Sequence, residues 1–543
     1  MHAALKLARA LKNKTYAEHF MMLSPADNAP PPAPVQSENT SPLERVPLWL
    51  LWCGAVLVFS ALYILTSQRG VSWQDSGIFQ WRSIVGDYIG HLGLASAHPL
   101  YIAIAQCCKV FPTGNIVAKL NGLSGIIMSI ALANLMLCII RLTGKKSIAI
   151  LSIMMVSVMH TPWWLATIAE TYTTHAALMT AELLLLIAVM RKPRWQTAAM
   201  LFFVNGLNWN VHNLALLNFP VYVGFMIYLL TTKQLSLKAI GVMFGSFMIG
   251  ALLYLTLIIS AAIKSGAVAD AFFEAFFGKY ANAVMSSGAQ WSFFKVNMAL
   301  SSLNFINASL PLAIVGWIKM RKQIGNTMTT VIIAMTVINV LFFVRYPIPD
   351  QFTFIIPSLI MVAIGAGVGI SVLFDYAKHW RTAAITVCML SIALPPVAYA
   401  TIPSLLKKYG VAVKRSRELP YRDELRYWIV PWKHNERSAE LFARTALREA
   451  GPSGTIVCDG TSYYPLKIIQ MQEKLSPGVA VRNAGEIKRL FSRGEDTERR
   501  ELRARGLYVI SPALDFLPEE VMRSVTLNRE PGRILYRVVW NKD

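Results

Sequence analysis

VSWQDSGIFQWRSIVGDYIGHLGLASAHPLY, residues 71–101, follows the first strongly apolar segment of the chain. The stretch is too polar to lie in lipid and too aromatic for an ordinary linker. It places two carboxylates and two histidines directly beside that segment, at Asp75, Asp87, His91 and His98. Ionisable groups at a membrane are costly and usually have a function. We therefore treat this stretch as the candidate active-site loop.

The composition indicates a polytopic α-helical membrane protein. The 543 residues are 55% hydrophobic and only 15% charged, whereas soluble domains carry about 25% charged residues. The net charge of +22 is also typical of nucleic-acid-binding proteins. Many of the lysines and arginines, however, lie in short loops between apolar segments, where orientation in the membrane explains them better. We therefore expect the lipid bilayer as a partner and no nucleic acid.

The six cysteines lie mostly in or beside apolar segments, at Cys53, Cys107, Cys108, Cys138, Cys388 and Cys458. Their sequence shows neither a CxxC pair nor metal-ligand spacing. The cysteines therefore predict neither a disulfide framework nor a metal site.

Residues 1–47 are predicted to form a flexible cytoplasmic tail. They begin with a basic stretch and continue into the proline-rich run APPPAPVQSENTSP. The tail lacks the long apolar run of a signal peptide, and the first span, 48–65, follows too late to be cleaved as one.

The segment HPLYIAIAQCCKVFP, 98–112, decides how the later spans are assigned. It is shorter than the roughly 20 apolar residues that a bilayer requires, so we predict a helix on the outer surface. Ten further spans then follow, which makes eleven in total: 116–140, 148–165, 171–190, 197–211, 214–231, 239–262, 301–318, 327–344, 352–374 and 382–402.

This assignment places the basic connections on the cytoplasmic side, as the positive-inside rule expects. The bases are Arg141, Lys145, Lys146, Arg191, Lys192, Arg194, Lys233, Lys238, Lys319, Arg321, Lys322, Lys378 and Arg381. The amino terminus is then cytoplasmic, and the carboxyl-terminal part is extracytoplasmic.

The unusual polar residues all fall on the outer side in this topology, although none of them was used to assign it. They are Asp75, His98, Glu170, His212, Arg345 and Asp350. Carboxylates, histidines and an arginine on one membrane face indicate a site for an anionic, lipid-borne substrate. An arginine can bind phosphate there, and an acid can act as base.

Each of these residues also has a simpler explanation. Asp75 precedes a helical stretch and can cap it, and Glu170 can be a solvated carboxylate at the interface. His212 lies in NWNVHN, 208–213, which is typical of a hydrogen-bonded turn. Arg345 can extend to the lipid head groups from the end of a span. Their shared side of the membrane is what favours a site.

The motifs resemble a known family. They are DSG at 75–77, HPLY at 98–101, ETY at 170–172, NVHN at 210–213 and RYPIPDQFTFIIPS at 345–358. Together they resemble the protein O-mannosyltransferase-like members of the GT-C superfamily. The stretch 455–483 also resembles the extracytoplasmic tail of bacterial members. The resemblance implies a GT-C-like transmembrane domain, 48–403, in a bacterial inner membrane.

The resemblance implies a glycosyltransferase that takes a sugar, with mannose as a candidate, from a polyprenyl-phosphate carrier. The acceptor would be extracytoplasmic, a protein hydroxyl or a glycolipid, and single displacement would invert the anomeric carbon. Asp75 would be the general base. Arg345, and after it His212, would hold the leaving phosphate, and the other substrate-binding residues would be His98, Glu170 and Asp350. No cofactor is then required, while a divalent ion near Asp75 and Glu170 stays open.

Two departures from the family pattern leave other functions open. Many members read DSGE and later HPPGYPL, whereas this chain has Ile78 and the shorter His98–Tyr101. An inactive relative with a structural role is therefore one alternative. A glycolipid transporter or flippase is another, for which we expect ionisable residues deep inside spans and an internal repeat.

Residues 404–543 are rich in charge and predict a soluble extracytoplasmic α/β domain. Strand-like stretches at 455–459, 507–511 and 534–540 alternate with helical ones near 437–450, 463–474 and 485–504. Acceptor binding and a purely structural cap are both open for this domain. The outer connection 264–300 has amphipathic pieces that predict either a lid over the lipid carrier or an interfacial helix.

Overall fold

The structure, a computed structural model, describes residues 42–111, 114–285, 291–413, 417–493, 496–513 and 515–541. Residues 1–41 of the predicted tail and Pro112 of the predicted surface helix lie outside the described residues. Up to residue 408 the helices are α1 Pro42–Arg45, α2 Leu48–Thr66, α3 Gln74–Val85, α4 Pro99–Gln106, α5 Ile116–Thr143, α6 Lys146–Ser157, α7 His160–Ala166, α8 Tyr172–Arg191, α9 Trp195–Trp209, α10 Phe219–Thr231, α11 Lys238–Gly250, α12 Leu252–Ser265, α13 Val268–Phe276, α14 Ala281–Met285, α15 Trp291–Ser302, α16 Ser309–Ile324, α17 Asn326–Arg345, α18 Ile356–Tyr376 and α19 Lys378–Lys408.

The chain is an integral membrane protein. Seven helical segments of its described part are long and apolar enough to cross a bilayer: Leu48–Thr66, Ile116–Thr143, Tyr172–Arg191, Asn213–Thr231, Asn326–Arg345, Gln351–Tyr376 and Lys378–Lys408. Three helix pairs add up to three more spans: Lys146–Ser157 with His160–Ala166 and Lys238–Gly250 with Leu252–Ser265, each bent by 72°, and Phe294–Phe305 with Ser309–Ile324, bent by 80°. At most ten candidate spans result, one fewer than the eleven predicted. The remaining predicted span, 197–211, corresponds to the helix α9, whose 15 residues are too few for it to count among these candidates by length.

The bend between α11 and α12 is held by a side chain from elsewhere in the chain. Asn210 donates from Nδ2 to the carbonyl of Gly250 at 2.7 Å and accepts from the amide of Tyr254 at 2.6 Å. Backbone groups that lose their helical partners at a break are thereby paired, as lipid surroundings require. The predicted span 239–262 is therefore bent between α11 and α12.

Helix α18 lies at the centre of the membrane domain. In the apolar stretch that makes it a candidate span, 94% of the residues are buried, against 11% in α2. Glycines let it approach α16 closely, since a Cβ added at Gly316 would collide with the carbonyl of Gly365. Small residues permit such backbone contact between membrane helices. The closely packed α18 directly follows the segment that carries Asp350.

Beyond residue 408 the chain forms a small domain around a five-stranded sheet. Its elements are α20 Glu424–Ile429, α21 Ser438–Glu449, β1 Thr455–Cys458, α22 Gly460–Glu473, β2 Ala480–Asn483, α23 Ala484–Arg493, α24 Asp496–Arg505, β3 Leu507–Val509, α25 Glu519–Arg523, β4 Val525–Asn528 and β5 Tyr536–Trp540. The strand order is β2-β1-β3-β5-β4, with β1 parallel to β2 and β3, and β5 antiparallel to β3 and β4. The predicted strands correspond to β1, β3 and β5. The edge strands β2 and β4 were missed because each has a single buried residue and hence no apolar run.

Hydrogen bonds join this domain to the ends of the membrane helices. The amide of Lys433 donates to the carbonyl of Thr66 at 2.7 Å, and the indole of Trp73 donates to Ser438 Oγ at 2.8 Å. The start of α22 consequently packs on α3, where a Cβ added at Gly77 would lie 3.4 Å from Cβ of Tyr464. The sheet domain therefore sits directly beside the helix that carries Asp75.

Candidate active site

Asp75 lies in the first turn of α3, at the end of a tightly held backbone turn. Gly77 permits this turn, because a Cβ there would lie 2.5 Å from the carbonyl oxygen of Ser72. Gln80 fixes Ser72 by accepting from its amide at 3.0 Å, and it also donates to Asn121 at 2.8 Å. The N-cap position belongs to Trp73. Helix capping therefore does not account for Asp75.

Three carboxylates, those of Asp75, Glu170 and Asp350, act electrostatically on one another here. Ser76 donates from its hydroxyl to Glu170 Oε1 at 3.0 Å, which brings the DSG and ETY motifs together. Glu170 is only 5% exposed, so the interpretation of a merely solvated interfacial carboxylate is wrong. Burial, and then the charges of Asp75 and Asp350, hold the pKa of Glu170 well above its usual range. The three acids are thus close enough to oppose one another's ionisation.

The three acids differ in their access to solvent. Asp75 is exposed and Asp350 is half-buried, in contrast to Glu170. Burial and the charge of Asp75 raise the pKa of Asp350 to about 7. The surrounding protein also raises the pKa of Asp75 even though its side chain is reached by solvent, while the charge of Lys279 acts in the opposite direction. Asp75 is therefore the acid that an incoming molecule can reach most easily.

The cation whose charge acts on Asp75 is Lys279, which no sequence motif marked. It is exposed and follows α13 in the connection 264–300. Arg345, the predicted phosphate cation, instead donates to the carbonyl of Val284 at 2.6 Å and so holds the far end of the same connection. The sequence did contain an indication of its role, because Lys279 is the sole lysine or arginine between residues 268 and 285. The role of Arg345 as the phosphate cation stays a prediction.

His98 and His212 lie against each other, with ring centroids 5.2 Å apart. Nδ1 of His98 is 2.6 Å from the carbonyl of Val211, and Nδ1 of His212 accepts from the amide of Leu214 at 3.1 Å. The ring of His212 also lies 5.2 Å from that of Tyr172. NWNVHN therefore forms a hydrogen-bonded turn, as its sequence indicated, and this turn also lies close to the site.

Asp87 and His91 make their hydrogen bonds with groups other than the three acids of the cluster. Asp87 accepts from the amides of Ile89 and Gly90 and so closes a turn. His91 is exposed and contacts the hydroxyl of Tyr464 in α22 at 2.6 Å. Tyr464, for which the sequence predicted no role in the site, also packs on Gly77 of the DSG motif, so the sheet domain borders the candidate site.

Within the ranges that the structure describes, no group of three or more His, Cys, Asp or Glu side chains is arranged to hold a metal ion. The carboxylates of the acid cluster can themselves accept and release protons, and they place negative charge at the mouth of the site. That the reaction requires no cofactor stays a prediction.

Comparisons with known proteins identify the fold. No protein-family model and no curated protein matches the sequence. The crystal structure of ArnT from Cupriavidus metallidurans bound to undecaprenyl phosphate is similar, with a TM-score of 0.53 at 13% identity over 90% of this chain and 97% of that one. The apo structure of the same ArnT gives 0.51 with the same identity and coverage. Despite the low identity, the chain has the fold of the GT-C glycosyltransferases, as its motifs predicted.

Proposed function

We propose that this protein is a membrane glycosyltransferase that transfers a sugar from a polyprenyl-phosphate carrier to an extracytoplasmic acceptor. The observation that carries the proposal is the cluster of Asp75, Glu170 and Asp350, with Lys279 facing its exposed member, on a GT-C fold. The ArnT structure that shares this fold holds undecaprenyl phosphate. In this proposal the membrane is the bacterial inner one, the amino terminus is cytoplasmic, and mannose and a protein hydroxyl are the first candidates for sugar and acceptor.

Asp75 is the residue best suited to act as general base. A base must reach the proton that it removes and should have a pKa near the working pH. Asp75 is exposed, its pKa is raised by the surrounding protein, and Lys279 favours its charged form. Glu170, by contrast, is buried and held by Ser76. Asp75 is thus both reachable and able to accept a proton.

The reaction is a single displacement. The acceptor oxygen attacks the anomeric carbon as Asp75 takes its proton. The bond from that carbon to the phosphate oxygen breaks, and the phosphate leaves with the electron pair. Lys279, an exposed ammonium beside the base, can bind this phosphate, since Lys–phosphate contacts are charge-assisted. Arg345 is the second candidate for this contact.

The test is complementation of cells that lack the protein, followed by mass spectrometry of their surface glycoproteins and glycolipids. Asp75→Asn should accumulate in the membrane but leave the glycans as in the deletion. Asp87→Asn is the matched control, because an asparagine oxygen can still accept from Ile89 and Gly90. Wild-type glycans in cells carrying Asp75→Asn would remove Asp75 as the base. A hexose lost from protein in the deletion supports O-glycosylation, and one lost from lipid supports a glycolipid acceptor.

One observation favours transport of a glycolipid as a second candidate function. Glu182 is fully buried inside the span α8, where it accepts from Asn208 at 2.7 Å and from the hydroxyl of Tyr222 at 2.8 Å. Ionisable residues within spans often mark transport pathways. Movement of labelled polyprenyl-phosphate sugar across proteoliposomes, without any transfer product on acceptor protein or lipid, would rank transport first.

A further inference from the structure

The protein's own hydrogen bonds define the proton positions of the two neighbouring histidines. A carbonyl oxygen only accepts, so the contact of His98 Nδ1 with Val211 places a hydrogen on that nitrogen. His212 Nδ1 accepts from the amide of Leu214 and therefore bears none. In neutral rings, His98 then presents an acceptor at Nε2 and His212 presents an N–H donor at Nε2. In the described part of the chain, neither Nε2 atom has a hydrogen-bond partner.

Both rings are kept neutral by their surroundings. Burial and the charge of Arg82 lower the pKa of His98 to about 4. Burial, and then electrostatic repulsion from His98 and His175, hold the pKa of His212 well below its usual range. Both residues nonetheless remain half-buried rather than buried. Each ring is therefore an uncharged polar group in a residue that the protein does not fully enclose.

The pair adjoins the acid cluster through two aromatic rings. Phe79 follows Asp75 by four residues on α3, hence on the same helix face, and its ring lies 5.5 Å from that of His98. Tyr172 follows Glu170 by two residues and contacts His212. The ring of Phe354 lies 5.6 Å from that of His212. An uncharged donor and an uncharged acceptor are thus bordered by aromatic rings next to the proposed base.

We propose that His98 and His212 form the subsite for the transferred sugar, in which His98 Nε2 accepts from one sugar hydroxyl and His212 Nε2 donates to another. Aromatic walls with a few placed polar groups are typical of small-ligand sites, and neutral donor and acceptor groups match neutral hydroxyls. This inference rests on the proposed function, because it concerns the sugar carried by the polyprenyl phosphate.

Asparagine substitutions test the subsite while preserving the local structure. In His98→Asn, Nδ2 can still donate to Val211, and asparagine tolerates the left-handed backbone of this position (φ 49°) better than most residues. In His212→Asn, Oδ1 can still accept from Leu214. Both substitutions remove the Nε2 group together with the outer part of the imidazole ring, while the group that holds the local backbone is kept. The matched control is His379→Asn, at an exposed histidine in the first turn of α19.

The measurement is competition of radiolabelled undecaprenyl phosphate from the purified full-length protein in nanodiscs. The competitors are undecaprenyl phosphate and its mannosyl, glucosyl and galactosyl esters. In the wild type at least one ester should bind more tightly than the bare carrier. That advantage, measured for each variant against its own affinity for the bare carrier, should fall by about five- to tenfold per lost hydrogen bond in each subsite variant. The control should keep the full advantage.

Distinct outcomes separate the two proposals. A wild-type protein that does not bind undecaprenyl phosphate contradicts the proposed function. A protein that binds the carrier but gains nothing from any sugar, or whose subsite variants keep the full advantage, overturns the subsite alone. Deoxy forms of the preferred ester provide a test that needs no variant. At least one should lose a similar factor on the wild-type protein, and equal binding of every deoxy form also overturns the subsite.

Discussion

Replacing Lys279 by methionine separates two roles of this cation, one toward the carrier phosphate and one toward Asp75. A charge-assisted hydrogen bond contributes about 1.5–3 kcal/mol, so its loss should weaken binding of undecaprenyl phosphate by about 10- to 150-fold. Lys279 is exposed, and pairs in water are worth less than about 1 kcal/mol. Its effect on the pKa of Asp75 should therefore be small. Carrier binding is expected to change much more than the pH profile.

The direction of the pH effect follows from the charges. Lys279 lowers the pKa of Asp75, so its removal should raise that pKa. A base acts only when it is ionised, so the acidic limb of the transfer rate should move to higher pH. The assays are carrier competition in nanodiscs and the pH dependence of transfer in the same preparation.

Two matched variants make the Lys279 experiment specific. Lys279→Arg keeps the charge and should retain most of the carrier affinity. Lys295→Met removes an exposed cation of the same connection that lies over the ring of Trp291, and it should leave affinity unchanged. If Lys279→Met binds the carrier as the wild type does, Lys279 does not hold the phosphate, and Arg345 becomes the first candidate.

Two further predictions concern stability and are measured by thermal unfolding of purified protein. The pKa of Asp350 is raised by folding to about 7, above roughly 3.9 in an unfolded chain, so stability should fall as pH rises between these values. Asp350→Asn should therefore unfold at a higher temperature than the wild type at pH 8, and this difference in unfolding temperature should shrink toward pH 4. A difference that grows on acidification would contradict a raised pKa of Asp350. Gly77→Ala places a Cβ 2.5 Å from the Ser72 carbonyl oxygen and should destabilise the protein by about 1–3 kcal/mol. Gly54→Ala is the control, because Gly54 has open space around it, and it should leave stability unchanged. Equal effects of the two substitutions would show that the turn at Gly77 is not constrained.

The spans and the fold were predictable because long apolar runs need only local information. The bends were not. The bend near Gly250 depends on Asn210, 40 residues away along the chain, and no local pattern encodes that pairing. The strands β2 and β4 were missed for a related reason, since sheet edges lack the apolar runs that identify buried strands.

The candidate site was predictable in its polar residues but not in all its partners. The span assignment placed Asp75 and Glu170 on one membrane face, and in the structure Ser76, the neighbour of Asp75, donates to Glu170. Lys279 and Tyr464 lie in segments whose sequence is typical of an interfacial helix and of a helix start. Their relevance depends on tertiary contacts with the Asp75 loop, which no spacing rule predicts.

The departure at Ile78 concerns a buried position on the helix that carries Asp75. Ile78 is 6% exposed and belongs to the buried part of α3. A glutamate there would bury a further carboxylate on the helix that carries Asp75, and burial of an unpaired charge is costly. The chain thus has companion acids for Asp75 from two other segments, and an apolar residue at position 78 is compatible with them. This arrangement favours an active transferase over an inactive relative. Were the protein only structural, Asp75→Asn would leave surface glycans unchanged, whereas we expect them to match the deletion.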